Sequence, residues 1–218
     1  MRLQAGLAWS VLTLLVLTAP AALADDSNDD PHAHHQQMMQ KEIELESKAN
    51  SADVRIPDVS LLTQHGETVN LRSDVVADKI VVIDFVYTTC TTICPVLSAI
   101  LGQVQKRLAD RLGKDVMLVS LTVDPLRDTP ERLKAYSEKH RAGDGWLWLT
   151  GNKQAVDDVL QELGVYTPNF EDHPSMILIG DGSIGEWSRF IGFPSAGQIM
   201  DKINEFSAAR TMQSASKE

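Results

Sequence analysis

The feature that most constrains the fold is a nearly unbroken apolar run in the middle of the chain, from Ile80 to Tyr87. It is rich in β-branched and aromatic side chains. A strand that is apolar on both faces is typical of a parallel sheet covered by helices on each side. The run therefore predicts a central strand of an α/β protein.

The chain's two cysteines, Cys90 and Cys94, follow this strand directly. Pro95 then opens a run of apolar residues at helical spacing up to Leu108, so both thiols are expected at a strand-to-helix turn. The N-terminus of a helix favours thiolate over thiol. The pair predicts a redox couple or a shared set of metal ligands. A disulfide that only staples the loop is the alternative, although so short a loop gains little stability from it.

The remaining elements alternate between strands and helices. Strands are predicted at 59–62, 67–70, 115–123, 146–150, 176–179 and 187–191, with turn residues between them. Helices are predicted from Pro130 to about His140, from Asn152 to about Leu163 and from Ala196 to Phe206. Thr129 and Asn152 are the expected N-caps, and Gly164 suits a helix C-terminus. Together these elements predict an α/β protein with a central mixed sheet, flanking helices and an N-terminal hairpin.

The first 24 residues have the pattern of a secretory signal peptide. Arg2 precedes a charge-free apolar stretch, which ends in a small-residue cleavage site at Ala24. An uncleaved membrane anchor is the alternative, because the stretch approaches the length needed to span a bilayer. We expect a periplasmic or otherwise exported protein, soluble if the segment is cleaved and membrane-anchored if it is not. In an oxidising compartment, a neighbouring thiol pair needs a reductant or a metal to stay unpaired.

Three further regions are predicted: a flexible polar arm at 25–52, a folded domain at 53–206 and a polar tail at 207–218. The arm holds imidazoles and thioethers that suit a secondary copper site, namely His32, His34, His35, Met38 and Met39. An ordinary low-complexity linker is the alternative. The formal net charge of −10 gives no support to nucleic acid binding, and membrane contact is expected only through an uncleaved N-terminal segment.

Four short elements follow one another along the chain: Cys90 to Pro95, Val123 to Glu131, Trp148 to Gly151, and Asp172 with His173 before an apolar strand. In this order they resemble the SCO/SenC family of copper proteins. The resemblance covers most of the domain and implies a thioredoxin-like fold. It also implies that copper is the bound metal and that Cys90, Cys94 and His173 are its ligands.

The same resemblance implies a copper metallochaperone that assists assembly of the binuclear copper centre of cytochrome c oxidase. The expected partner is the copper-site subunit of that oxidase, and other copper chaperones would be further partners. Two thiolates and an imidazole are a soft donor set that suits Cu(I), and Cu(II) could bind them with a further ligand. The alternative is a thiol-disulfide reductase that acts on the recipient's cysteines with Cys90 and Cys94 as its catalytic pair. A carrier needs His173, whereas a reductase does not.

One departure from the family pattern is Pro174, because a small hydroxylic residue usually follows the histidine. A bond before proline can be cis at low cost, as is common at this corner of thioredoxin-like proteins. A loop histidine that caps the strand is the alternative for His173. Asp124 and Asp128 resemble acidic residues near the family's site. They either orient ligands and meet a partner, or they form the turn and cap the next helix.

Other enzyme classes fit less well. Peroxiredoxins usually carry Thr or Ser three residues before the reactive cysteine, where this chain has Tyr87. Thioredoxin-type enzymes have two residues between their cysteines, and this chain has three. No phosphate-cradling glycine loop or nucleophile elbow is present in the sequence, which gives no support to kinases, dinucleotide enzymes or hydrolases.

Overall fold

The computed structural model describes residues 49–215, and within this range one eight-stranded mixed sheet forms the centre of the protein. Its strands are β1 (Asn50–Ser51), β2 (Ser60–Thr63), β3 (Thr68–Asn70), β4 (Ile80–Val86), β5 (Val116–Thr122), β6 (Trp146–Thr150), β7 (Met176–Asp181) and β8 (Glu186–Ile191). The α-helices are α1 (Ile93–Leu108), α2 (Pro130–Lys139), α3 (Lys153–Glu162) and α4 (Ala196–Ala215). A π-helical turn spans Leu71–Val76, and short 3₁₀ turns span Ala109–Arg111 and Phe170–Asp172.

The strand order is β1-β8-β7-β4-β5-β6-β2-β3. The three strands β4, β5 and β6 run parallel, and β7 pairs antiparallel with β4. The β7–β8 hairpin extends the sheet on one side, and the β2–β3 hairpin extends it beyond β6 on the other. The predicted mixed sheet with flanking helices and an N-terminal hairpin is confirmed.

The central strand β4 is buried along its whole length and supplies both hydrophobic cores. Val82 and Val86 face a core that includes residues of α1, α2 and α4. Val81 and Ile83 face a second core, which includes residues of α3 and of the π-helical turn. Since a fully buried aliphatic side chain contributes about 1.5–3 kcal/mol, this two-sided burial fixes the register of β4. The burial predicted from the sequence is confirmed.

The predicted helix boundaries at α2 and α3 are also confirmed. Thr129 and Asn152 cap these helices, and each side chain accepts a backbone N–H from the first turn. Pro130 takes the first helical position of α2. Gly164 lies just after α3 with φ of +71°, a left-handed conformation that favours glycine.

The N-terminal boundary of the folded part differs from the prediction. Asn50 and Ser51, expected in the flexible arm, form β1 and pair with Arg189 and Ser188 of β8. Ala52 continues this contact through a backbone hydrogen bond of 2.9 Å to the carbonyl of Trp187. Backbone pairing needs no apolar side chains, so a polar segment can form a strand that the pattern of apolar residues does not predict.

The C-terminal helix also extends beyond its predicted end. We expected it to stop at Phe206 before a polar tail, but α4 continues to Ala215. Arg210 holds the extension against the sheet, since its guanidinium donates hydrogen bonds of 2.7 and 2.9 Å to the carboxylate of buried Asp181. A long-range ion pair of this kind leaves no periodic signal in the sequence.

A carboxyl group lies inside β4. Asp84 is fully buried and accepts a hydrogen bond of 2.5 Å from the hydroxyl of Ser120, which in turn accepts one from the indole of Trp146. The second carboxyl oxygen, Oδ2, is buried without a hydrogen-bond partner within residues 49–215. Burial raises the pKa of Asp84 to about 7, although the hydrogen bond from Ser120 acts in the opposite direction.

We expect Asp84→Asn to flatten the pH dependence of stability. Because the folded-state pKa of Asp84 lies above its unfolded value, the native state holds this proton more tightly. The wild-type free energy of unfolding should therefore fall by up to about 4 kcal/mol between pH 4 and pH 8 through this group. Urea unfolding of both proteins at pH 5 and pH 8 measures the difference. Equal pH dependence in the two proteins would contradict the assignment.

Candidate dithiol and histidine site

The two cysteines lie on the turn that joins β4 to α1. The backbone N–H of Cys90 donates to the carbonyl of Tyr87 at 3.0 Å, which closes the turn directly after the strand. The helix begins at Ile93, so Cys94 is its second residue and Pro95 its third. The sequence predicted Pro95 as the first residue of the helix, so the helix begins two residues earlier than expected. The predicted strand-to-helix placement of both thiols is otherwise confirmed.

Cys90 is the activated thiol of the pair. The backbone N–H of Cys94 donates to the Cys90 sulfur at 3.3 Å. Burial alone would raise the pKa of Cys90, but interactions with Cys94, with the backbone of Thr92 and with the side chain of Tyr87 outweigh it and lower the pKa to about 7. A large fraction of Cys90 is therefore thiolate at neutral pH.

Cys94 behaves in the opposite way. It is fully buried, and burial, followed by the hydrogen bond that it donates to Cys90, raises the pKa of Cys94 well above its usual value. Both cysteines are free thiols in this structure. The site thus combines a thiol with a lowered pKa, Cys90, which is 6% exposed, and a thiol with a raised pKa, Cys94, which is 0% exposed.

His173 follows the 3₁₀ turn Phe170–Asp172 and leads into β7. Its side chain is buried, and Nδ1 lies 3.2 Å from the carbonyl oxygen of Pro174. Burial lowers the pKa of His173, while the contact with Pro174 acts in the opposite direction. The neutral imidazole that results can donate from Nδ1 to this carbonyl, which leaves the Nε2 lone pair free for a metal. Within residues 49–215 no peptide bond is cis, so the bond before Pro174 is trans.

The ring of Tyr87 connects the thiols to His173. It packs edge-on against the imidazole, with ring centroids 5.9 Å apart and planes at 85°. The same ring packs against Phe170 at 5.0 Å. No three His, Cys, Asp or Glu side chains in the described range are grouped closely enough to hold a metal ion. The structure thus brings Cys90 and Cys94 together on one turn, and it packs His173 against Tyr87 of that turn without grouping the three ligands in the described range.

Asp128 fastens the cysteine turn to the sheet. Its buried carboxylate accepts hydrogen bonds from the backbone N–H of Thr88 at 3.1 Å, from the Thr88 hydroxyl at 2.5 Å and from the Thr122 hydroxyl at 2.7 Å. Burial raises the pKa of Asp128, and these bonds oppose the rise. Asp124 instead pairs with Arg127 at 2.9 Å. Asp128 thus contacts the turn that carries the thiols, whereas Asp124 pairs within its own turn.

Two apolar side chains are exposed beside the thiols, next to a polar turn that contains threonines. Ile93 and Val96, on the first turn of α1, are 37% and 47% exposed. They flank Cys94, and the first turn of this helix carries no acidic residue. A protein partner that approaches Cys90 can therefore bury apolar area next to the reacting sulfur.

Sequence reasoning did not identify two residues near the site, Tyr87 and Asp84. Both belong to the apolar run that predicted β4, so a place in the buried strand already accounted for each residue. The available signal was an acidic residue inside that run, since a carboxyl group is rarely fully buried.

The predicted secondary copper ligands, His32, His34, His35, Met38 and Met39, lie outside the described residues, as does the predicted signal segment at 1–24. None of the helices within residues 49–215 is long and apolar enough to cross a membrane.

Comparison with known proteins agrees with this geometry. The family model described as SCO1/SenC matches residues 47–216. The SCO1 protein homolog of Bacillus subtilis is 36% identical over 94 residues, which are 42% of this chain and 47% of that protein. The chain spans about half the length of the first curated relatives that it matches.

Solved structures share the fold. BsSco, described as a member of the Sco family of cytochrome c oxidase assembly proteins with a disulfide switch, superposes with a TM-score of 0.61 at 25% identity, over 75% of this chain and 98% of that one. Yeast Sco1 with copper bound gives a TM-score of 0.60 at 23% identity, over 72% of this chain and 94% of that one. The latter similarity shows the fold alone.

The fold and the dithiol turn define a thioredoxin-like α/β protein with a reactive cysteine pair at the end of its central strand. Since the family model covers most of the chain, the protein belongs to the SCO1/SenC family.

We expect iodoacetamide to modify Cys90 first in the copper-free, reduced protein. The rate should reach half its maximum near pH 7, because the Cys90 pKa is lowered to that value while Cys94 stays protonated and enclosed. Peptide mass spectrometry after short exposures at pH 5.5 to 9 assigns the modified cysteine. Faster modification of Cys94 than of Cys90 would contradict the proposed division between the two thiols.

Proposed function

We propose that this protein is a copper carrier that binds the metal through Cys90, Cys94 and His173 and delivers it during assembly of the binuclear copper centre of cytochrome c oxidase. The observation that carries the proposal is the pair of free, buried thiols on one turn, where the backbone N–H of Cys94 donates to the Cys90 sulfur at 3.3 Å, with the imidazole of His173 packed against Tyr87 of the same turn. Membership of the SCO1/SenC family supports copper as the cargo, and a similar protein of Stutzerimonas stutzeri is described as copper-binding.

The donor set suits reversible copper binding. Thiolates are soft ligands that prefer Cu(I), and the imidazole adds a donor that both copper oxidation states accept. Metal binding requires Cys94 to lose its proton, so loading should release a proton and weaken at low pH. A thiol of the recipient can then replace one protein ligand at a time, which moves copper without releasing free metal.

Completion of the three-ligand site requires a local movement. The three ligands are not grouped closely enough to hold a metal within residues 49–215, and His173 packs against Tyr87 at the end of a short 3₁₀ turn. Its backbone N–H donates to the carbonyl of Phe170 in a bond of 3.3 Å, near the upper end of ordinary hydrogen-bond lengths. Copper held by the thiols would draw the imidazole inward through Nε2, and the segment before β7 would absorb the shift.

The recipient that we propose is the copper-site subunit of cytochrome c oxidase, and other copper chaperones would load or share the metal. Support comes from BsSco, which is described as a member of the Sco family of cytochrome c oxidase assembly proteins. The exposed pair Ile93 and Val96 offers an apolar surface to such a recipient. We place this exchange in the periplasm or another exported compartment, on the basis of the signal-like segment at 1–24.

A thiol-disulfide reductase is the second candidate function, and the Cys90 environment favours it too. A thiolate with pKa near 7 above a protonated resolving thiol suits disulfide exchange. Cys90 would attack the recipient's disulfide, and Cys94 would then lose its proton and displace the recipient's second thiolate. The recipient gains the electrons, while Cys90 and Cys94 form a disulfide.

Substitution of His173 separates the two functions. In the full mature chain, His173→Ala should bind copper more weakly and fail to metallate a pre-reduced oxidase copper domain, while its dithiol still reduces the oxidised domain. Cys90→Ser and Cys94→Ser should each abolish tight binding. Copper competition titration, transfer assays and thiol quantification supply the measurements. His65→Ala is the matched control, because it removes an exposed imidazole from the β2–β3 turn.

Tight copper binding by either cysteine variant would contradict the ligand set. Normal copper transfer by His173→Ala would contradict the carrier mechanism. Rapid reduction of the recipient by wild type without any copper transfer would favour the reductase instead.

We also propose a weaker copper site in the arm, formed by His32, His34, His35, Met38 and Met39. Alanine replacement of the three histidines in the full mature chain should remove weak copper capacity while leaving one tight site. Weak binding is expected because an extended polar segment must lose conformational entropy to enclose a metal. Isothermal titration of both proteins measures stoichiometry and affinity. Identical titrations would identify the cluster as an ordinary linker.

A further inference from the structure

The chain enters the sheet at the edge that carries the thiols. β1 pairs antiparallel with β8, β8 with β7, and β7 with β4, so β1 runs antiparallel to β4. The N-terminal end of β1 therefore faces the edge where β4 ends and the cysteine turn begins. The register agrees, since Asn50 is level with Ile83, the middle residue of β4, through Arg189 and Leu178. Ala49, the residue before β1, thus lies towards the thiol edge.

Ala49 also lies on the thiol side of the sheet. It is partly buried and packs against the core formed with α1, α2 and α4, which includes both cysteines. The segment that carries His173 meets the same edge, because the backbone N–H of Gly192, directly after β8, donates to the carbonyl of Ser175 at 2.9 Å. Both halves of the proposed copper site therefore lie at the edge where the preceding chain joins the sheet.

The distance from Ala49 to the thiols is short compared with the reach of the preceding chain. β1 and β4 are three strand spacings apart, or about 14 Å. The predicted arm cluster consists of His32, His34, His35, Met38 and Met39. Met39 precedes Ala49 by ten residues, and a chain of this length spans up to about 33–36 Å. The arm cluster can therefore reach Cys90 of its own molecule.

We propose that the arm cluster is an intramolecular copper relay, which binds incoming copper and passes it to Cys90 and Cys94 of the same chain. This inference rests on the proposed copper-binding function and gives the weaker arm site a role in it. The described part of the chain supplies the reason, since β1 anchors the arm at the edge and on the face where the thiols lie.

The relay is a ligand exchange. A bond from Cu(I) to an arm imidazole or thioether breaks as a bond to a cysteine sulfur forms, and the thiol proton passes to water. Copper keeps its oxidation state, so the step consumes no oxidant or reductant. Anionic thiolates bind Cu(I) more tightly than neutral imidazoles and thioethers do, so transfer runs from the arm to the dithiol.

Burial of the thiols gives the relay a purpose. Both sulfurs are buried, so a bulky copper donor has little direct access to them. A tethered segment is present at the site at an effective concentration of about 1 mM, whatever the concentration of the protein. The arm would therefore accept copper outside the domain and present it to the thiols without a second encounter.

Loading from a bulky Cu(I) chelator tests the relay. The reduced full mature chain is mixed rapidly with the Cu(I)–bicinchoninate complex, and the ultraviolet thiolate-to-copper absorbance reports arrival at the dithiol. Alanine replacement of all five arm ligands should slow loading about 10–100-fold without changing the final occupancy of the dithiol. His65→Ala is the matched control and should load like wild type, because its exposed imidazole follows β2, which ends at the opposite edge of the sheet.

A second comparison separates transfer within one molecule from transfer between molecules. Copper-loaded Cys90→Ser/Cys94→Ser protein, which keeps the arm, is mixed with the reduced arm variant, which keeps the thiols. At about 10 µM this transfer should be about 100-fold slower than the transfer in wild type and proportional to concentration, whereas the wild-type rate should not depend on concentration.

Position is tested by moving the arm cluster to the other end of the domain. Arg210 of α4 contacts Asp181, the register partner of Ile80 at the start of β4, so α4 ends at the edge opposite the thiols. The arm variant with the cluster placed directly after Ala215 should still bind weak copper but load the thiols more slowly than wild type.

The outcomes distinguish the relay from the proposed function. Wild-type loading rates in the arm variant, or full rescue by the relocated cluster, would overturn the relay while the tight dithiol site and the carrier function stand. A wild-type rate that rises in proportion to protein concentration would overturn it as well. If wild type never develops the thiolate-to-copper absorbance, the carrier function itself fails.

Discussion

The two-sided burial of β4 is the constraint on which the site depends. Its alternating side chains anchor the strand in two cores, so the strand end has little freedom to shift. Tyr87 and Cys90 follow that end directly, and the N–H of Cys90 is tied back to the carbonyl of Tyr87. Asp128 then holds the next residue of the turn, Thr88, against β5. Packing of the sheet thus holds the Cys90 sulfur in a fixed position.

Burial raises the pKa of both thiols, but only Cys90 has interactions that outweigh it, and this difference gives the dithiol its chemistry. The Cys90 sulfur accepts a hydrogen bond from the backbone N–H of Cys94 in the first turn of α1, which favours its charged form against desolvation. Cys94 is fully buried, so desolvation favours its protonated form. A carrier and a reductase would both use this arrangement, since each needs one available thiolate and a second thiol in reserve. The imidazole of His173 is what distinguishes metal binding from simple disulfide exchange.

The low polarity of the core also extends beneath the thiols. Asp84 stands on the same strand as Val82 and Val86 and has one carboxyl oxygen without a hydrogen-bond partner in the described residues. Its charge would raise the pKa of Cys94 further, because both groups lie in an environment that screens poorly. The protonation of this buried carboxyl therefore couples the stability of the sheet to the electrostatics of the site.

The sequence by itself determined the α/β class, the strand before the cysteines, the caps at Thr129 and Asn152, and the position of both thiols on a strand-to-helix turn. These features are local, since they follow from periodicity and from residues within a few positions of each other. Only the tertiary structure decided which thiol has the lowered pKa, that His173 packs against Tyr87, and that Arg210 extends α4 by reaching Asp181. Those features depend on burial and on contacts between distant segments, which spacing along the chain does not encode.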